Sequence, residues 1–98
     1  MKTTGEYLSI LRGFKAAKAI QYSIASIGIF GSVARGEQTE GSDVDICVSL
    51  NKPSMFNMVH IKDDLEQLFG CQVDIVRMRD DMDSLLRQNI MEDSIYVW

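Results

Sequence analysis

The sequence predicts an α/β (α+β) domain in which helices cover one face of a mixed sheet of three or more strands. The clearest evidence lies in residues 43–50, where Val44, Ile46 and Val48 alternate with polar or smaller residues. This alternation places three apolar side chains on one face of a strand, and other elements must cover that face. The segments before and after this strand carry apolar residues at helical spacing. A chain of 98 residues can bury one core, so we expect a single domain over 1–98.

The first third of the chain is predicted to form a long helix and then a short strand. Apolar residues recur at helical spacing near residues 4–22. They are Tyr7, Leu8, Leu11, Phe14 and Ala17. Gly13 lies within this helix and costs about 1 kcal/mol relative to alanine. A strand is predicted near 26–31 because the run is short and β-branched, and it ends at a Gly-Ser pair.

The strand at 43–50 ends at Asn51-Lys52-Pro53, and a second long helix is predicted near 54–69. Ser54 is a suitable N-cap for this helix, and Gly70 is a suitable terminator. The apolar stripe of the helix is expected to be buried. Its members are Met58, Ile61, Leu65 and Leu68.

A third strand is predicted near 71–78, with Asp74 on the same open face as Asp43 and Asp45. A last helix near 81–91 is predicted to start at Asp80 or Asp81. The apolar residues that this helix would use are Met82, Leu85, Leu86 and Ile90. The final residues, 94–98, are apolar enough that we expect them to pack against the domain or a partner.

Residues 31–46, GSVARGEQTEGSDVDI, combine features that suit Mg-nucleotide chemistry. A strand that ends at Gly31 and Ser32 exposes backbone N–H groups to an anion, and a short helix is expected to start at Ser32. Asp43 and Asp45 lie two apart on the next strand, so both carboxylates leave the same face. Carboxylate oxygens are the ligands that Mg²⁺ prefers. The stretch therefore predicts a phosphate-binding turn beside a cation site.

Gly31-Ser32, ten intervening residues and then Asp43-Val44-Asp45 resemble the signature of the DNA polymerase β-like nucleotidyltransferase superfamily. With a second acidic strand at Asp74, this short chain is similar to the minimal, antitoxin-type members that pair with HEPN-domain toxins. The resemblance covers roughly residues 26–77. Taken singly, each aspartate is also typical of an exposed sheet face, and Gly-Ser of an ordinary turn. The conjunction of spacing and shared face favours the site.

The resemblance implies roles for individual residues. Asp43, Asp45 and Asp74 would be catalytic and would ligate two Mg²⁺ ions, and Asp74 would also assist deprotonation of the acceptor. Gly31, Ser32 and Arg35 would bind the nucleotide, with ATP as the substrate. Many relatives carry a basic residue where this chain has Val33. That departure removes one candidate phosphate ligand.

The net charge of −4 and the sequence pI of 4.8 provide no basic footprint, so we expect no direct contact with nucleic acid. Residues 1–9 lack a signal-peptide core, and no apolar run is long enough to span a membrane, so we expect a cytoplasmic protein without membrane association. Cys47 and Cys71 are interpreted as buried thiols. His60 lies off the predicted apolar stripe and is interpreted as an exposed helix residue.

Three functions from different classes follow from the resemblance. The first is an Mg-dependent enzyme that transfers AMP from ATP to a tyrosine of a HEPN-type toxin and forms an assembly with it. The second is an antitoxin that acts by stoichiometric binding without catalysis. The third is an adenylyltransferase for a small molecule such as an aminoglycoside. The intact acidic triad favours the first over the second, and the small size argues against the third. The acidic balance favours a basic partner.

Overall fold

The computed structural model describes residues 2–97 and contains four helices and four strands within them. The elements follow one another in the order α1 (Thr4–Lys18), β1 (Ile24–Phe30), α2 (Gly31–Ala34), β2 (Val44–Leu50), α3 (Met55–Phe69), β3 (Val73–Arg77), α4 (Ser84–Asp93) and β4 (Ile95–Val97). The strands form one mixed sheet with the spatial order β3-β2-β1-β4. β2 is antiparallel to β1 and parallel to β3, and β4 is antiparallel to β1. The predicted fold class is confirmed.

The main core lies between the sheet and two helices, α1 and α3. α1 contributes Tyr7, Leu11 and Phe14 to this core, and α3 contributes three residues from its own apolar stripe. They are Ile61, Leu65 and Phe69. The sheet contributes the alternating residues predicted on β2, all of them fully buried. Leu68 was expected in the stripe but is half exposed, because Phe69, one position on, turns into the core instead.

α4 lies against the opposite face of the sheet, which differs from the predicted arrangement. Ile90 of α4 is buried but does not belong to the main core cluster. The hydroxyl of Ser94 donates to the Ile90 carbonyl and lies 3.4 Å from Cys47 Sγ, which faces away from α1 and α3. The apolar face of α4 is short, and Leu85 and Leu86, which the sequence placed in it, are exposed. α4 therefore covers only part of this second face.

Several element ends differ from the predicted ones. α1 ends at Lys18 rather than near 22, because a turn with Ser23 in the left-handed region (φ 58°) leads into β1. Gly13 does not break α1, whose N-terminus is closed by a capping box between Thr3 and Glu6. α4 starts at Ser84 because Asp83, not Asp80 or Asp81, accepts the capping hydrogen bond from Leu86 N–H. The Ser54 cap and the Gly70 terminator of α3 are confirmed.

The last described residues form a strand, β4, where the sequence predicted only an apolar segment. Val97 of β4 is buried in the main core, so the expected packing against the domain is confirmed for it. Trp98, which belongs to the same prediction, lies outside the described residues. Cys47 is buried, Cys71 is half-buried, and His60 is exposed and stacks on Tyr22 with 6.0 Å between ring centroids. No helix within residues 2–97 has the length and apolar character needed to cross a membrane.

β4 can pair with β1 only because residue 28 is glycine. A Cβ atom built on Gly28 would lie 2.8 Å from the Ile95 carbonyl oxygen and 3.0 Å from the Tyr96 ring. We expect Gly28→Ala to destabilise the protein by about 1–3 kcal/mol, as overpacking does. Gly13→Ala is the matched control, because nothing lies within 4 Å of its Cβ position and helix propensity should add up to about 1 kcal/mol. Urea unfolding measures both, and equal effects would contradict this packing.

Candidate active site

The candidate site lies where β1 ends and β2 and β3 begin. Asp45 is the register partner of Phe30 on β1 and of Asp74 on β3. Neighbouring strands are about 4.8 Å apart, so Asp45 and Asp74 start from adjacent backbone positions. Asp43 lies just before β2. The structure therefore brings the three predicted aspartates to one end of the sheet, on the face opposite α1 and α3.

Close contact between the Asp45 carboxylate and Gly31 joins the aspartates to the Gly-Ser turn. Gly31 has φ 74°, and a Cβ atom built on it would overlap Asp45 Oδ2. The position thus excludes other residues twice, by backbone conformation and by the carboxylate that occupies the space. Ser32 follows in the first turn of α2, where backbone N–H groups have no partner within the helix. The Gly31 turn and the Asp45 carboxylate are therefore in direct contact.

The pKa of Asp45 is raised above its usual range, first by partial burial and then by the negative charges of Asp74 and Asp43. Arg35 opposes this shift. Among residues 2–97, no three His, Cys, Asp or Glu side chains converge closely enough to hold a metal ion as they stand. Like charges without a cation favour such separation. The aspartates are neighbours, but they do not form a closed three-carboxylate cluster.

Two carboxylates bind the Arg35 guanidinium, and the sequence did not predict either contact. Its Nε donates to Glu37 Oε1 at 2.5 Å, and its Nη1 donates to Asp93 Oδ2 at 2.6 Å. The pKa of Arg35 is raised, chiefly by the bond to Glu37. Asp93 ends α4 and lies 58 residues further along the chain, so no local sequence signal could have indicated this pair. Arg35 thus links the turn after Gly31 to α4.

Val33, which stands where many relatives have a basic residue, points into the main core and is only 1% exposed. Its carbonyl accepts a 2.6 Å hydrogen bond from Thr4 Oγ1 in α1. α2 is therefore fixed to α1 by both side chain and backbone. The side chain at position 33 therefore contributes to the core.

The loop between α2 and β2 is fastened at two points. Gln38 Nε2 donates to the Lys2 carbonyl oxygen at 3.2 Å, and Ser42 Oγ accepts from Thr39 N–H at 2.9 Å. Gly36 and Gly41 have positive φ and turn the chain on each side of these anchors. Gln38 Oε1 is buried and has no hydrogen-bond partner. The loop between the Gly-Ser pair and Asp43 is thus held by one contact to Lys2, just before α1, and by one contact within the loop.

The raised pKa of Asp45 implies a stability penalty in the metal-free protein. Because the folded state holds the proton more tightly than the unfolded state, stability falls as pH rises through that window, and the loss persists at neutral pH. Because Asp45 is only partly buried and solvent screens the repulsion, we expect Asp45→Asn to gain only about 0.5 kcal/mol at pH 7, which raises the Tm by about 2–4 °C. The gain should vanish below pH 3.8, the ordinary pKa of the group.

Asp63→Asn on α3 is the matched control, because Asp63 is exposed and distant in sequence from the site. Thermal unfolding of both variants from pH 3 to pH 8 in a metal chelator measures the effect. An Asp45→Asn protein that is no more stable than the Asp63→Asn protein at pH 7 would contradict the repulsion among the three aspartates.

Comparison with known proteins confirms the resemblance. A family model described as a nucleotidyltransferase domain matches residues 11–97. A Methanocaldococcus jannaschii protein assigned as a protein adenylyltransferase is 40% identical over 99% of this chain and 100% of its own length. Protein adenylyltransferase MntA of Thermococcus cleftensis is 36% identical over 99% of this chain and 98% of its own length. The similarity therefore extends over whole chains.

Solved structures give the same assignment. A minimal nucleotidyltransferase superposes with a TM-score of 0.79 at 30% identity, covering 96% of this chain and 95% of that chain. A toxin–antitoxin structure with AMP-PNP shares the fold with a TM-score of 0.72 at 21% identity, covering 89% and 72% of the two chains. A tri-AMPylated Shewanella oneidensis HEPN toxin with its MNT antitoxin gives 0.58 at 19%, covering 89% and 71%. Fold, site and full-length similarity together make this chain a member of the nucleotidyltransferase domain family, among its small protein adenylyltransferases.

Proposed function

We propose that this chain transfers AMP from ATP to a tyrosine of a HEPN-type toxin and thereby acts as its antitoxin. The observation that carries the proposal is the pairing of Asp45 with Asp74 on adjacent strands beside the Gly31 turn. The relatives named protein adenylyltransferase, and the neighbours crystallised with AMP-PNP or with an AMPylated HEPN toxin, support the same reaction. A binder that acts by contact alone has no need for this arrangement.

The donor set fits Mg²⁺. Three carboxylates, Asp43, Asp45 and Asp74, supply hard oxygen ligands at one end of the sheet, and the mutual repulsion that raises the Asp45 pKa would be reversed by a cation. The separation of the side chains without metal agrees with a site that closes around Mg-ATP. When bound, Mg²⁺ supplies charge neutralisation for the phosphates and lowers the pKa of the acceptor hydroxyl. We assign these three aspartates as its ligands.

The Gly31 turn is proposed to hold the triphosphate. Gly31 lets the backbone approach closely, and Ser32 offers its hydroxyl and its N–H group at the start of α2. Arg35 is a weaker candidate for a phosphate contact, because Glu37 and Asp93 already accept its hydrogen bonds. A phosphate oxygen would have to replace one of these carboxylates. Their exposure, 59% and 39% of the side chains, makes the exchange inexpensive, since surface ion pairs contribute about 0–1 kcal/mol.

The reaction is an in-line displacement at the α-phosphorus of ATP. The tyrosine hydroxyl oxygen forms a bond to this phosphorus, the bond to the oxygen bridging the β-phosphate breaks, and pyrophosphate leaves. Asp74 is exposed on the edge strand and is proposed to accept the hydroxyl proton. Asp45 and Asp43 lie deeper and hold the phosphates through their ligand role. An acceptor from a separate protein can reach Asp74 because its side chain is exposed on the face of the sheet opposite α1 and α3.

The test is transfer to a purified HEPN-type protein encoded beside this chain, with Mg²⁺ and ATP. Intact-mass spectrometry should show AMP additions on the partner, and peptide mapping should place them on tyrosine. Asp43→Asn should reduce the rate by about 10²-fold or more, because losing even a hydrogen-bonding partner of a metal ligand typically costs about 10–100-fold in metal affinity or activity. Asp63→Asn, an exposed aspartate outside the site, is the control and should leave the rate unchanged.

Two outcomes would overturn the proposal. Neutralisation of the partner that survives Asp43→Asn, without any AMP addition, would favour the stoichiometric antitoxin. Modification that persists in the Asp43→Asn protein at the parent rate would remove the aspartates from the chemistry.

A further inference from the structure

The edge of the sheet formed by β3 carries an apolar groove that the proposed reaction does not use. The groove has a volume of about 670 Å³ and runs between α3 and the start of α4, with Ile75, Val76 and Arg77 along its floor. Met55 and Val59 on α3 are 78% and 53% exposed, and Leu86 on the opposite wall is 48% exposed. Apolar side chains gathered along an open sheet edge are typical of an interaction surface.

The hydrogen-bond pattern shows which backbone groups of β3 are open. Val44 N–H donates to Gln72 O, and Met78 N–H donates to Val48 O. In a parallel ladder the groups that face the neighbour alternate, so the intervening residues Ile75 and Arg77 direct their N–H and C=O groups away from β2. Val73 also faces outward, but its N–H already donates to Glu66 Oε2 at 3.0 Å. The open part of the edge is Ile75 to Arg77.

We propose that this groove is occupied by a second copy of the chain, with β3 pairing antiparallel to its own copy across a twofold axis at Val76. In that register Ile75 of each copy exchanges both hydrogen bonds with Arg77 of the other. Four hydrogen bonds form, and they use the open backbone groups of both strands. A twofold contact of this kind buries the same surface on each copy.

The other symmetric registers conflict with the structure. A twofold axis at Ile75 would pair Val73 with Arg77 and would need the Val73 N–H that Glu66 already binds. A twofold axis at Arg77 would place two guanidinium groups directly opposite each other, which is destabilising. In the register centred on Val76, each Arg77 instead faces Ile75. One symmetric register therefore satisfies the open backbone groups of both strands without using the Val73 N–H, which makes a copy of this chain a suitable occupant.

The wall of the groove that α3 forms supports the same occupant. Met55, Val59 and Lys62 line the groove at i, i+4 and i+7 of α3 and form one stripe of the helix. Continuing the sheet through β3 would bring this stripe against its copy on the same face, because directly opposed residues share a face. The opposite edge of the sheet is less suited to pairing, since β4 has three residues and its Val97 carbonyl accepts from Lys15 Nζ at 3.2 Å.

The dimer has a consequence for the candidate site. Asp74 lies two residues before Val76 on the same strand, so the two sites would face the same side of one continuous eight-stranded sheet. A dimeric acceptor protein could then present two tyrosines to one surface. The dimer itself depends only on the edge and the groove, so it can be tested without the partner or the reaction.

Sedimentation velocity of the purified full chain over a concentration series tests the association. The parent should approach twice its 11.1 kDa mass. Val59→Glu places a charge in the groove and should raise the dimer Kd by about tenfold or more, the equivalent of 1.4 kcal/mol. Ile20→Glu is the matched control, because Ile20 is 96% exposed and lies outside the groove, and it should sediment like the parent. Circular dichroism checks that both variants remain folded.

The register is tested by disulfide trapping. Val76→Cys, combined with Cys71→Ser and with Cys47→Ala to remove the free thiol next to position 76, should cross-link on mild oxidation, because residues directly opposed at the axis have Cβ atoms close enough for a disulfide. Arg77→Cys in the same background should not cross-link. A parent that stays monomeric at its highest attainable concentration would overturn the proposal. So would a dimer that ignores Val59→Glu, or one in which Arg77→Cys cross-links and Val76→Cys does not.

Discussion

Three negative charges at one end of a small sheet are the constraint on which the site depends. Asp45 is partly buried between Gly31 on one side and Asp74 on the next strand, and Asp43 adds a third charge at the entrance. Partial burial raises the pKa of Asp45, and the charges of Asp74 and Asp43 raise it further. A fold that tolerates such a cluster gains nothing in stability from it. A bound cation would offset this repulsion, and on this basis we propose that this end of the sheet holds Mg²⁺.

The rest of the molecule holds this arrangement in place. α1 fixes α2 through Thr4 and Val33, and so sets where the Gly31 turn lies. Arg35 joins that turn to Asp93 at the end of α4. The chain then continues into β4, which closes on β1 at Gly28. An element remote in sequence, α4, therefore supports the Gly31 turn through this ion pair.

The sequence predicts the parts that depend on local pattern. Alternation on β2, the Ser54 cap and the Gly70 terminator each rest on a few neighbouring residues, and the structure has them as expected. The spacing of the motif and the alternation of side chains along a strand predict which face of the sheet each residue occupies. They therefore predicted that three aspartates lie together beside Gly31, namely Asp43, Asp45 and Asp74. The position of α4 could not be derived in this way, since it depends on tertiary contacts such as the one between Ser94 Oγ and Cys47 Sγ. The same holds for the pairing of Arg35 with Asp93.

Titration of the Asp45 carboxyl group is the sharpest test of the proposed metal site. Carbon-13 NMR of the labelled side chain gives its pKa in the metal-free protein and in the presence of Mg²⁺ with AMP-PNP. In the protein without ligand, we expect the pKa of Asp45 to lie above the usual range of an aspartate, because burial and the neighbouring aspartates disfavour the charge. With Mg²⁺ and nucleotide the pKa should fall below that range, because a bound cation reverses the local electrostatics. An Asp45 pKa that is ordinary without ligand, or unchanged when Mg²⁺ and nucleotide bind, would contradict the assignment of this sheet end as the metal site.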